Sequence, residues 1–206
     1  MRAPLIAIEG LDRSGKSTQT LKLVRRLQDS NRSVKLLKFP ERTTAIGKLI
    51  DQYLKDKKYK LSDESVHLLF SANRWELQDK IIDLLTNQYI VVVDRYVYSG
   101  VAYSGAKGLK FQWCLNPDLG MPKPDVTIFL KFNDMLQVTT RSGFGEERYE
   151  ESEFQKKVCA QFKKFEGFSE WHNINVDNKS IEEVHDEIWN LVEPVINGIN
   201  NDIQTF

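Results

Sequence analysis

Cysteine is scarce in this chain: its 206 residues include two, Cys114 and Cys159. They lie far apart, and neither belongs to a Cys-x-x-Cys pair. This usage argues against a disulfide framework. We interpret both as free thiols in a reducing compartment, and we expect a cytoplasmic location, with the nucleus as a further possibility.

The sequence also lacks an excess of charge of either sign. Lys and Arg total 29, as do Asp and Glu, so the formal net charge is zero. Nucleic-acid-binding domains usually carry a basic excess, so nucleic acid is not an expected partner. The apolar stretch that precedes Glu9 is short, too short for a secretory signal or a membrane span, and we expect no membrane association.

Internal repeats and low-complexity segments are absent as well. A chain of this length is large enough to bury a full core. We therefore predict one domain over residues 1–206.

The segment Gly10-Leu11-Asp12-Arg13-Ser14-Gly15-Lys16-Ser17 fits the phosphate-loop pattern G-x-x-x-x-G-K-[ST]. In such a loop the glycines allow backbone N–H groups to turn toward a phosphate, the lysine reaches the β- and γ-phosphates, and the hydroxyl ligates Mg²⁺. A short apolar strand, residues 4–9, precedes it. A helix follows, with Leu21, Val24 and Leu27 spaced on one face. Strand, loop and helix are the context that the motif requires; the alternative is a chance glycine-rich turn.

Four further apolar runs predict strands at residues 34–39, 89–93, 126–132 and 174–176. Between them, residues 61–85 predict one helical stripe, and residues 181–195 a second. Alternating strands and helices favour an α/β fold with a five-stranded parallel sheet covered on both faces. Residues 39–44, 105–124 and 139–151 look irregular, and we expect the polar tail from residue 197 to fray.

An acidic residue follows the third strand at Asp94. Apolar residues ending in an acid form a Walker B arrangement, in which the acid helps to hold Mg²⁺. The alternative is a helix N-cap after a strand. Because ligands bind beyond the carboxyl ends of parallel strands, we favour the metal interpretation for Asp94 together with Ser17.

Several arginines converge on the same predicted edge. Arg13 lies in the loop, and Arg42 and Arg95 follow strands, while Arg141 and Arg148 fall in an irregular segment. Arginine suits bidentate contacts with phosphate oxygens. One nucleoside triphosphate does not need so many, so we infer a second anionic group; the alternative is that these are solvated surface charges.

An obvious general base is missing, because the three histidines lie off the strand ends. A phosphomonoester acceptor accounts for this absence. With a second pKa near 6 it is mostly dianionic at neutral pH and needs no base to attack. Its obstacle is repulsion between two phosphates, which positive groups in a closed site overcome.

Phe70 and Arg74 lie four residues apart on one helix face. An aromatic ring beside a guanidinium can stack on a base while the guanidinium bonds a carbonyl. The alternative, which periodicity alone favours, is that Phe70 belongs to the core. Tyr103 and Tyr149 are ambiguous in the same way.

Taken together, these segments resemble the thymidylate kinase family, in its eukaryote-like class with an arginine in the phosphate loop. The resemblance covers nearly the whole chain. Its matching segments are residues 10–19, Phe39-Pro40-Glu41-Arg42, residues 68–76, Asp94-Arg95-Tyr96 followed by residues 98–103 and 105–107, residues 122–125, and Glu147-Arg148-Tyr149-Glu150.

The resemblance implies a nucleoside-monophosphate kinase that transfers the γ-phosphoryl group of ATP to dTMP, giving dTDP for dTTP biosynthesis, with Mg²⁺ as cofactor. It implies a homodimer and a short lid at about residues 136–150, with Arg141 near ATP. The implied catalytic residues are Arg13, Lys16, Asp94 and Arg95. The implied ATP-binding residues are Asp12, Arg13, Ser14, Gly15, Lys16, Ser17, Thr18 and Arg141.

For the acceptor, the resemblance implies that Arg42 and Arg95 hold the phosphate and that Asp12 receives the 3′-hydroxyl. Phe70 stacks on thymine, Arg74 bonds its O4 edge, and Tyr149 crowds the 2′ position of the sugar. The remaining implied dTMP-binding residues are Phe39, Ser99, Gly100 and Tyr103. Whether Arg13 or a lid arginine stabilises the transferring group stays open.

Three alternatives remain. Another nucleotide kinase shares the phosphate loop, although Phe70, Arg74 and Tyr149 favour a pyrimidine deoxynucleotide. A GTPase-like switch calls for Asn-Lys-x-Asp, and Lys123-Pro124-Asp125 lacks the preceding Asn. A catalytically dead binding module is the third, and the intact Lys16, Ser17 and Asp94 argue against it.

Overall fold

A five-stranded parallel sheet forms the centre of the molecule, in the order β2-β3-β1-β4-β5. The structure, a computed structural model, describes residues 1–132, 148–149 and 151–206. The predicted lid, apart from residues 148 and 149, therefore lies outside the described residues, as does Arg141. The strands are β1 (Leu5–Gly10), β2 (Val34–Lys38), β3 (Ile90–Asp94), β4 (Val126–Lys131) and β5 (Trp171–Asn175).

Helices cover both faces of this sheet. In the described part of the chain no helix is long and apolar enough to cross a bilayer. The α-helices are α1 (Lys16–Asp29), α2 (Ala45–Lys55), α3 (Asp63–Trp75), α4 (Gln78–Thr86), α5 (Val97–Ala106), α6 (Phe111–Leu115), α7 (Ser152–Phe162) and α8 (Ile181–Val192), with short 3₁₀ turns at Asn116–Asp118, Lys163–Phe165 and Glu193–Val195.

Alternation along the strands divides the interior into two cores. Successive strand side chains point to opposite faces, so Ile6 and Ile8 of β1 pack with α1 and α8, whereas Leu5 and Ala7 pack with α4, α5 and α7. The central strands are apolar toward both sides and are fully buried. This is the pattern expected of a parallel sheet covered on both faces, and the predicted fold class is confirmed.

The register brings the ends of three strands together. Ile8 of β1 pairs with Asp94 of β3, and Lys38 of β2 pairs with the same Asp94. Gly10, the last residue of β1, pairs with Leu130 of β4. The loops that follow β1, β2 and β3 therefore start side by side.

Two details of the helical prediction are wrong. The residues 61–85 form α3 and α4 rather than one helix, with a break at Glu76 and Leu77. No glycine or proline marks this break, and the apolar spacing of the sequence continues across it. On α1 the buried side chains include Leu23 and Leu27, whereas Leu21 is 43% exposed.

Several elements differ from the prediction in where they begin, or are not predicted at all. Strand β5 starts at Trp171 rather than Ile174, and helices α2, α5, α6 and α7 fall where no helix is predicted. The apolar patterns of these elements are short. Helix α6 lies within residues 105–124, for which the sequence predicts irregular structure. Both cysteines are free thiols, Cys114 on α6 being buried and Cys159 on α7 half-buried.

The tail does not fray as predicted, because backbone bonds tie it to the domain. Ile199 exchanges hydrogen bonds with Arg2, at 2.8 and 3.0 Å. Farther on, the N–H of Phe206 donates to the Met121 carbonyl at 3.1 Å. The Phe206 ring lies 5.3 Å from the ring of Tyr98, so an apolar anchor follows the polar stretch.

We expect Phe206→Ala to lower the free energy of unfolding by about 2 kcal/mol, since a half-buried aromatic ring is removed and a cavity is left behind. Urea unfolding followed by tryptophan fluorescence measures the change. Thr205→Ala is the matched control, because this exposed neighbour forms its bridge to Pro122 through the backbone. Equal stability of both variants and the parent would show that the ring contributes nothing.

Candidate active site

A cleft of about 1010 Å³ opens at the carboxyl ends of the strands. Residues from the loops after β1, β2 and β3 line it, together with α3 and α5. It therefore brings together most of the predicted site residues. These are Asp12, Arg13, Gly15, Lys16, Ser17, Thr18, Phe39, Arg42, Phe70, Arg74, Asp94, Arg95, Ser99, Gly100, Tyr103 and Tyr149.

The phosphate loop connects β1 to α1, and two of its residues adopt a left-handed backbone conformation with positive φ. Gly15 has φ 88° and Arg13 has φ 62°, a region that glycine enters freely and other residues rarely adopt. Gly10 is needed for space, because a Cβ there would lie 2.7 Å from the Leu130 carbonyl oxygen. Ser14 is buried beneath the loop rather than lining the cleft.

Lys16 is buried at the centre of the loop and donates to the Leu11 carbonyl oxygen. Burial, followed by the charge of Arg95, lowers the pKa of Lys16 to about 8. Asp12 and Asp94 oppose this shift. An anion placed beside the ammonium would stabilise its charged form.

The metal prediction concerned Ser17 and Asp94, and the structure places them in contact. The Ser17 hydroxyl donates to Asp94 Oδ2 at 2.9 Å. Asp94 is the last residue of β3 and does not cap α5, whose N-cap residue is Tyr96. The N-cap alternative for Asp94 is therefore wrong.

These two side chains fit Mg²⁺, which prefers hard oxygen ligands and keeps several waters. Within the described residues no group of three or more His, Cys, Asp or Glu side chains could hold a metal ion. A phosphate-loop Mg²⁺ does not need such a group, because nucleotide oxygens and water complete its coordination.

A buried carboxylate that sequence reasoning missed lies beneath this region. Glu9, at the end of β1, accepts hydrogen bonds from the backbone N–H groups of Tyr96, at 2.8 Å, and Ser99, at 3.1 Å. It also accepts a bond from the Ser99 hydroxyl. Burial raises the pKa of Glu9, although these bonds and Arg95 oppose the shift. Glu9 thus fixes the first turn of α5.

Arg95 and Asp12 form an ion pair across the cleft floor. Arg95 Nη1 also donates to the Gly10 carbonyl and to the Ser99 hydroxyl, each at 3.2 Å. Burial alone would raise the pKa of Asp12, but Arg95 and Lys16 hold it below its ordinary value. Asp12 therefore stays ionised, and Tyr103 donates its hydroxyl to it at 3.0 Å.

Gln155, another residue that the sequence did not point to, is fully buried on α7. Its amide nitrogen donates to Asp12 Oδ2 at 2.8 Å and to the Tyr149 carbonyl at 3.0 Å. Its amide oxygen accepts from the Asp12 backbone N–H at 3.2 Å. Gln155 thereby joins the phosphate loop to Tyr149, near the C-terminal end of the predicted lid.

The Arg74 side chain is held in the cleft by a buried ion pair. Its guanidinium donates to both carboxylate oxygens of Asp118, at 2.8 and 2.6 Å, and both side chains are buried. It also packs against Gly100, where a Cβ would come within 2.7 Å of Arg74 Nη2. Substituting Arg74 would leave Asp118 as an unpaired buried charge, so loss of activity alone would not define its role.

The other predicted acceptor residues line the same half of the cleft. Arg42 pairs with Asp51 of α2 at 2.6 Å. Phe39 is buried against the Tyr96 ring at 5.7 Å. Phe70 is half-buried beside the small core formed by α2 and α3, so it belongs to that core and lines the cleft at once.

Tyr149 stacks on Phe154, with ring centroids 5.2 Å apart, and lies 5.7 Å from the Tyr103 ring. Its neighbour Arg148 donates to the backbone carbonyls of Tyr53, at 2.9 Å, and Asp56, at 2.7 Å. Arg148 thus holds the C-terminal end of α2. In this arrangement it is not directed at the phosphate loop.

The GTPase alternative finds no support at Asp125. Its carboxylate accepts two hydrogen bonds from Arg2, at 2.8 and 2.7 Å, and one from the Leu5 backbone N–H, at 2.9 Å. These bonds tie Asp125 to the start of β1, where it has a structural role.

The strand order, the phosphate loop and the arginine-lined cleft beside it define a P-loop nucleoside-monophosphate kinase. Residues 8–188 match the family model described as thymidylate kinase. The chain belongs to the thymidylate kinase family.

Relatives and solved structures agree with this assignment. The chain is 48% identical over 198 residues to a thymidylate kinase of Schizosaccharomyces pombe, covering 94% of this chain and 93% of the relative. It is 46% identical to a thymidylate kinase of Homo sapiens, covering 95% and 92%. Its fold matches a thymidylate kinase structure from Candida albicans with a TM-score of 0.90 and 44% identity, covering 100% and 98%. The predicted family and enzyme class are confirmed.

We expect ATP binding to be linked to proton uptake by Lys16. At pH 8 about half of the free protein would carry a neutral lysine, and the triphosphate would restore its proton, so about half a proton is taken up. The contribution of Lys16 to ATP affinity is then nearly constant well below pH 8 and falls as the pH rises through 8. Calorimetry without acceptor, in buffers of different ionisation enthalpy, measures the uptake.

Lys16→Met is the control for this measurement and removes the titrating group. A binding heat that does not depend on the buffer would contradict the linkage in the parent protein.

Proposed function

We propose that this chain transfers the γ-phosphoryl group of ATP to dTMP, giving dTDP in dTTP biosynthesis, within the cleft described above. Family membership supports the reaction. The observation that carries the site assignment is the placement of two cationic regions at one sheet edge: Lys16 with Arg13 in the phosphate loop, and Arg95 with Arg42 beyond the neighbouring strands.

At the donor end, Asp12 to Thr18 form the nucleotide-binding loop. Lys16 contacts the β- and γ-phosphates of ATP, and Ser17 and Asp94 hold Mg²⁺. When bound, Mg²⁺ neutralises phosphate charge. Arg13 stabilises the equatorial oxygens of the transferring group, an assignment supported by its presence in the lining of the cleft. We include Arg141 at the ATP end as a proposal from the family resemblance.

At the acceptor end, Arg95 and Arg42 hold the dTMP phosphate, and Asp12 receives the 3′-hydroxyl. The fixed position of Arg95 supports this assignment, since its guanidinium is held by Gly10 and Asp12. The dTMP phosphate is mostly dianionic at neutral pH, so the attack needs no general base.

The nucleoside lies farther along α3 and α5. Phe70 stacks on thymine and Arg74 donates to its O4 edge. Gly100 leaves the Arg74 guanidinium space, and Ser99 orients Arg95 at 3.2 Å. The remaining acceptor contacts are assigned to the walls formed by Phe39, Tyr103 and Tyr149.

A coupled assay of ADP release, with a panel of nucleoside monophosphates, tests the function. We expect dTMP to give the highest kcat/KM, with dCMP, dAMP and dGMP far behind. Lys16→Met, which keeps the length of the side chain but removes its charge, should abolish turnover. Preference for a purine monophosphate would overturn the proposal.

Arg13→Ala should lower kcat by about 10³, by analogy with arginines that act in cis in phosphoryl transfer. The affinity for ATP should change little. Arg25→Ala removes an exposed arginine of α1 and serves as the charge-matched control. If kcat falls by less than tenfold, Arg141 would be the candidate for this role, and Arg13 would be only a loop residue.

Tyr149→Ala should raise kcat/KM for ribothymidine monophosphate relative to dTMP by about tenfold or more, because discrimination by a pocket wall is worth about 1–3 kcal/mol. Tyr149→Phe keeps the ring and loses only the hydroxyl, which donates to the Tyr53 hydroxyl at 3.3 Å. We expect this variant to retain the parent selectivity. A parallel loss of both substrates in Tyr149→Ala would assign the ring a structural role.

We also propose that the chain forms a homodimer through the outer face of α3. Leu68 and Trp75, seven residues apart on this helix, are 47% and 37% exposed. Trp113 packs against His67, the residue before Leu68, with ring centroids 5.3 Å apart, and Leu119 is 48% exposed. Exposed apolar patches of this kind are typical of protein interfaces, and a twofold dimer is the commonest assembly.

Sedimentation equilibrium should give twice the 23.9 kDa mass of the chain, and Leu68→Glu should give a monomer because it places a charge in the interface. Leu21→Glu, on the opposite side of the sheet at 43% exposure, should remain dimeric. A monomeric parent protein, or a dimeric Leu68→Glu variant, would rule out this face.

Cytoplasmic or nuclear location is a further proposal. Two free thiols, one of them half-buried, are consistent with a reducing compartment. Imaging of the full chain with a small epitope tag tests it.

A further inference from the structure

A buried histidine, which does not itself line the cleft, contacts a serine that does. His67 on α3 is fully buried, and its Nδ1 atom lies 2.8 Å from the hydroxyl oxygen of Ser104 on α5. Ser104 lines the cleft together with Phe70 and Arg74. The proposed chemistry uses neither His67 nor Ser104, so their contact calls for an explanation.

The tautomer of His67 follows from its two partners. Its Nε2 atom lies 2.8 Å from the backbone carbonyl oxygen of Cys114. A carbonyl oxygen can only accept, so Nε2 carries the hydrogen. Burial, followed by the charge of Arg74, lowers the pKa of His67, which leaves the ring neutral and Nδ1 with a lone pair. The Ser104 hydroxyl must therefore donate to Nδ1.

This bond fixes what Ser104 can offer to a ligand. A hydroxyl has one donor hydrogen and two acceptor lone pairs. Because the hydrogen is directed at His67, only lone pairs remain for the cleft. Ser104 presents a hydrogen-bond acceptor there and no donor.

The Ser104 hydroxyl lies at the end of the cleft to which we assign the base. Helix α5 starts beside Arg95, and Gly100, which contacts the Arg74 guanidinium, lies on its second turn. Ser104 follows four residues later, on the same face and about 6 Å farther along the helix axis. It therefore lies beyond Arg74, on the side away from the phosphate.

We propose that His67 is a positioning residue for base selection: by holding Ser104 as an acceptor, it favours a pyrimidine with a ring N–H beside its carbonyl over a 4-aminopyrimidine. The inference rests on the proposed binding of dTMP in this cleft. Thymine and uracil present an N3–H that Ser104 can accept. Cytosine presents a bare N3, which would face a lone pair and stay unpaired in a buried site.

Ser104→Thr and Ser104→Val form the matched pair that tests this inference. The two side chains have the same shape, but only threonine keeps the hydroxyl. The readout is the ratio of kcat/KM for dTMP to that for 5-methyl-dCMP. Both variants keep Arg74, so its effect on the 4-amino group cancels in the comparison.

We expect Ser104→Thr to keep the parent ratio and Ser104→Val to lower it about tenfold or more. The change should appear as a higher KM for dTMP, with kcat and the KM for ATP nearly unchanged. Equal ratios for threonine and valine would overturn the proposal, because shape rather than hydrogen bonding would then decide the base.

A measurement on the parent protein needs no variant at position 104. In ¹⁵N-histidine spectra at pH 7, His67 should show a protonated Nε2 and a bare Nδ1, with the other two histidine signals assigned by His172→Gln and His185→Gln. A protonated Nδ1 would overturn the proposal. If the parent fails to phosphorylate dTMP, the proposed function fails. If the parent turns over dTMP normally but Ser104→Thr and Ser104→Val show equal ratios of kcat/KM for dTMP to 5-methyl-dCMP, only the role of His67 is rejected.

Discussion

The architecture of the cleft depends on the buried carboxylate of Glu9. By accepting the N–H groups of Tyr96 and Ser99, it satisfies donors at the start of α5 that no helical carbonyl can reach. Arg95, directly before this turn, has φ 66°, a conformation that needs support in a residue with a side chain. Glu9 thereby supports the turn that carries Arg95, whose guanidinium pairs with Asp12. The proposed donor and acceptor sites therefore share a support that does not itself line the cleft.

Short-range patterns were enough to predict the donor half of the site. The phosphate loop is a contiguous motif, and Asp94 follows a fully apolar strand, so sequence order and the rule for parallel strand ends placed Lys16, Ser17 and Asp94 together. The five strands were predicted for the same reason, since each is a short apolar run. The predictions that were wrong concern features set by tertiary contacts. Helix α1 buries Leu23 rather than Leu21, and a helix break without glycine or proline divides α3 from α4.

The acceptor half needed information that no local pattern carries. Arg74 was predicted, but its partner Asp118 lies 44 residues away in an irregular segment. Gln155 lies 143 residues from Asp12, and a glutamine on an otherwise ordinary helix gives no signal. Glu9 could have been noticed as an acid that ends a buried strand. For His67 and Ser104, only the packing of α3 on α5 showed that they touch. The sequence alone had placed all histidines outside the site.

Helix α5 gives the acceptor cleft a fixed length. Its first turn adjoins Arg95, to which we assign the acceptor phosphate, and Ser104 lies near its other end, about 10 Å from Val97 along the axis. A rigid helix holds these two ends at one separation, whichever side chains stand between them. A nucleotide must match that separation to reach both ends at once, so the backbone itself limits the size of the acceptor. Substitutions in the walls can change which base or sugar enters, but they leave this dimension as it is.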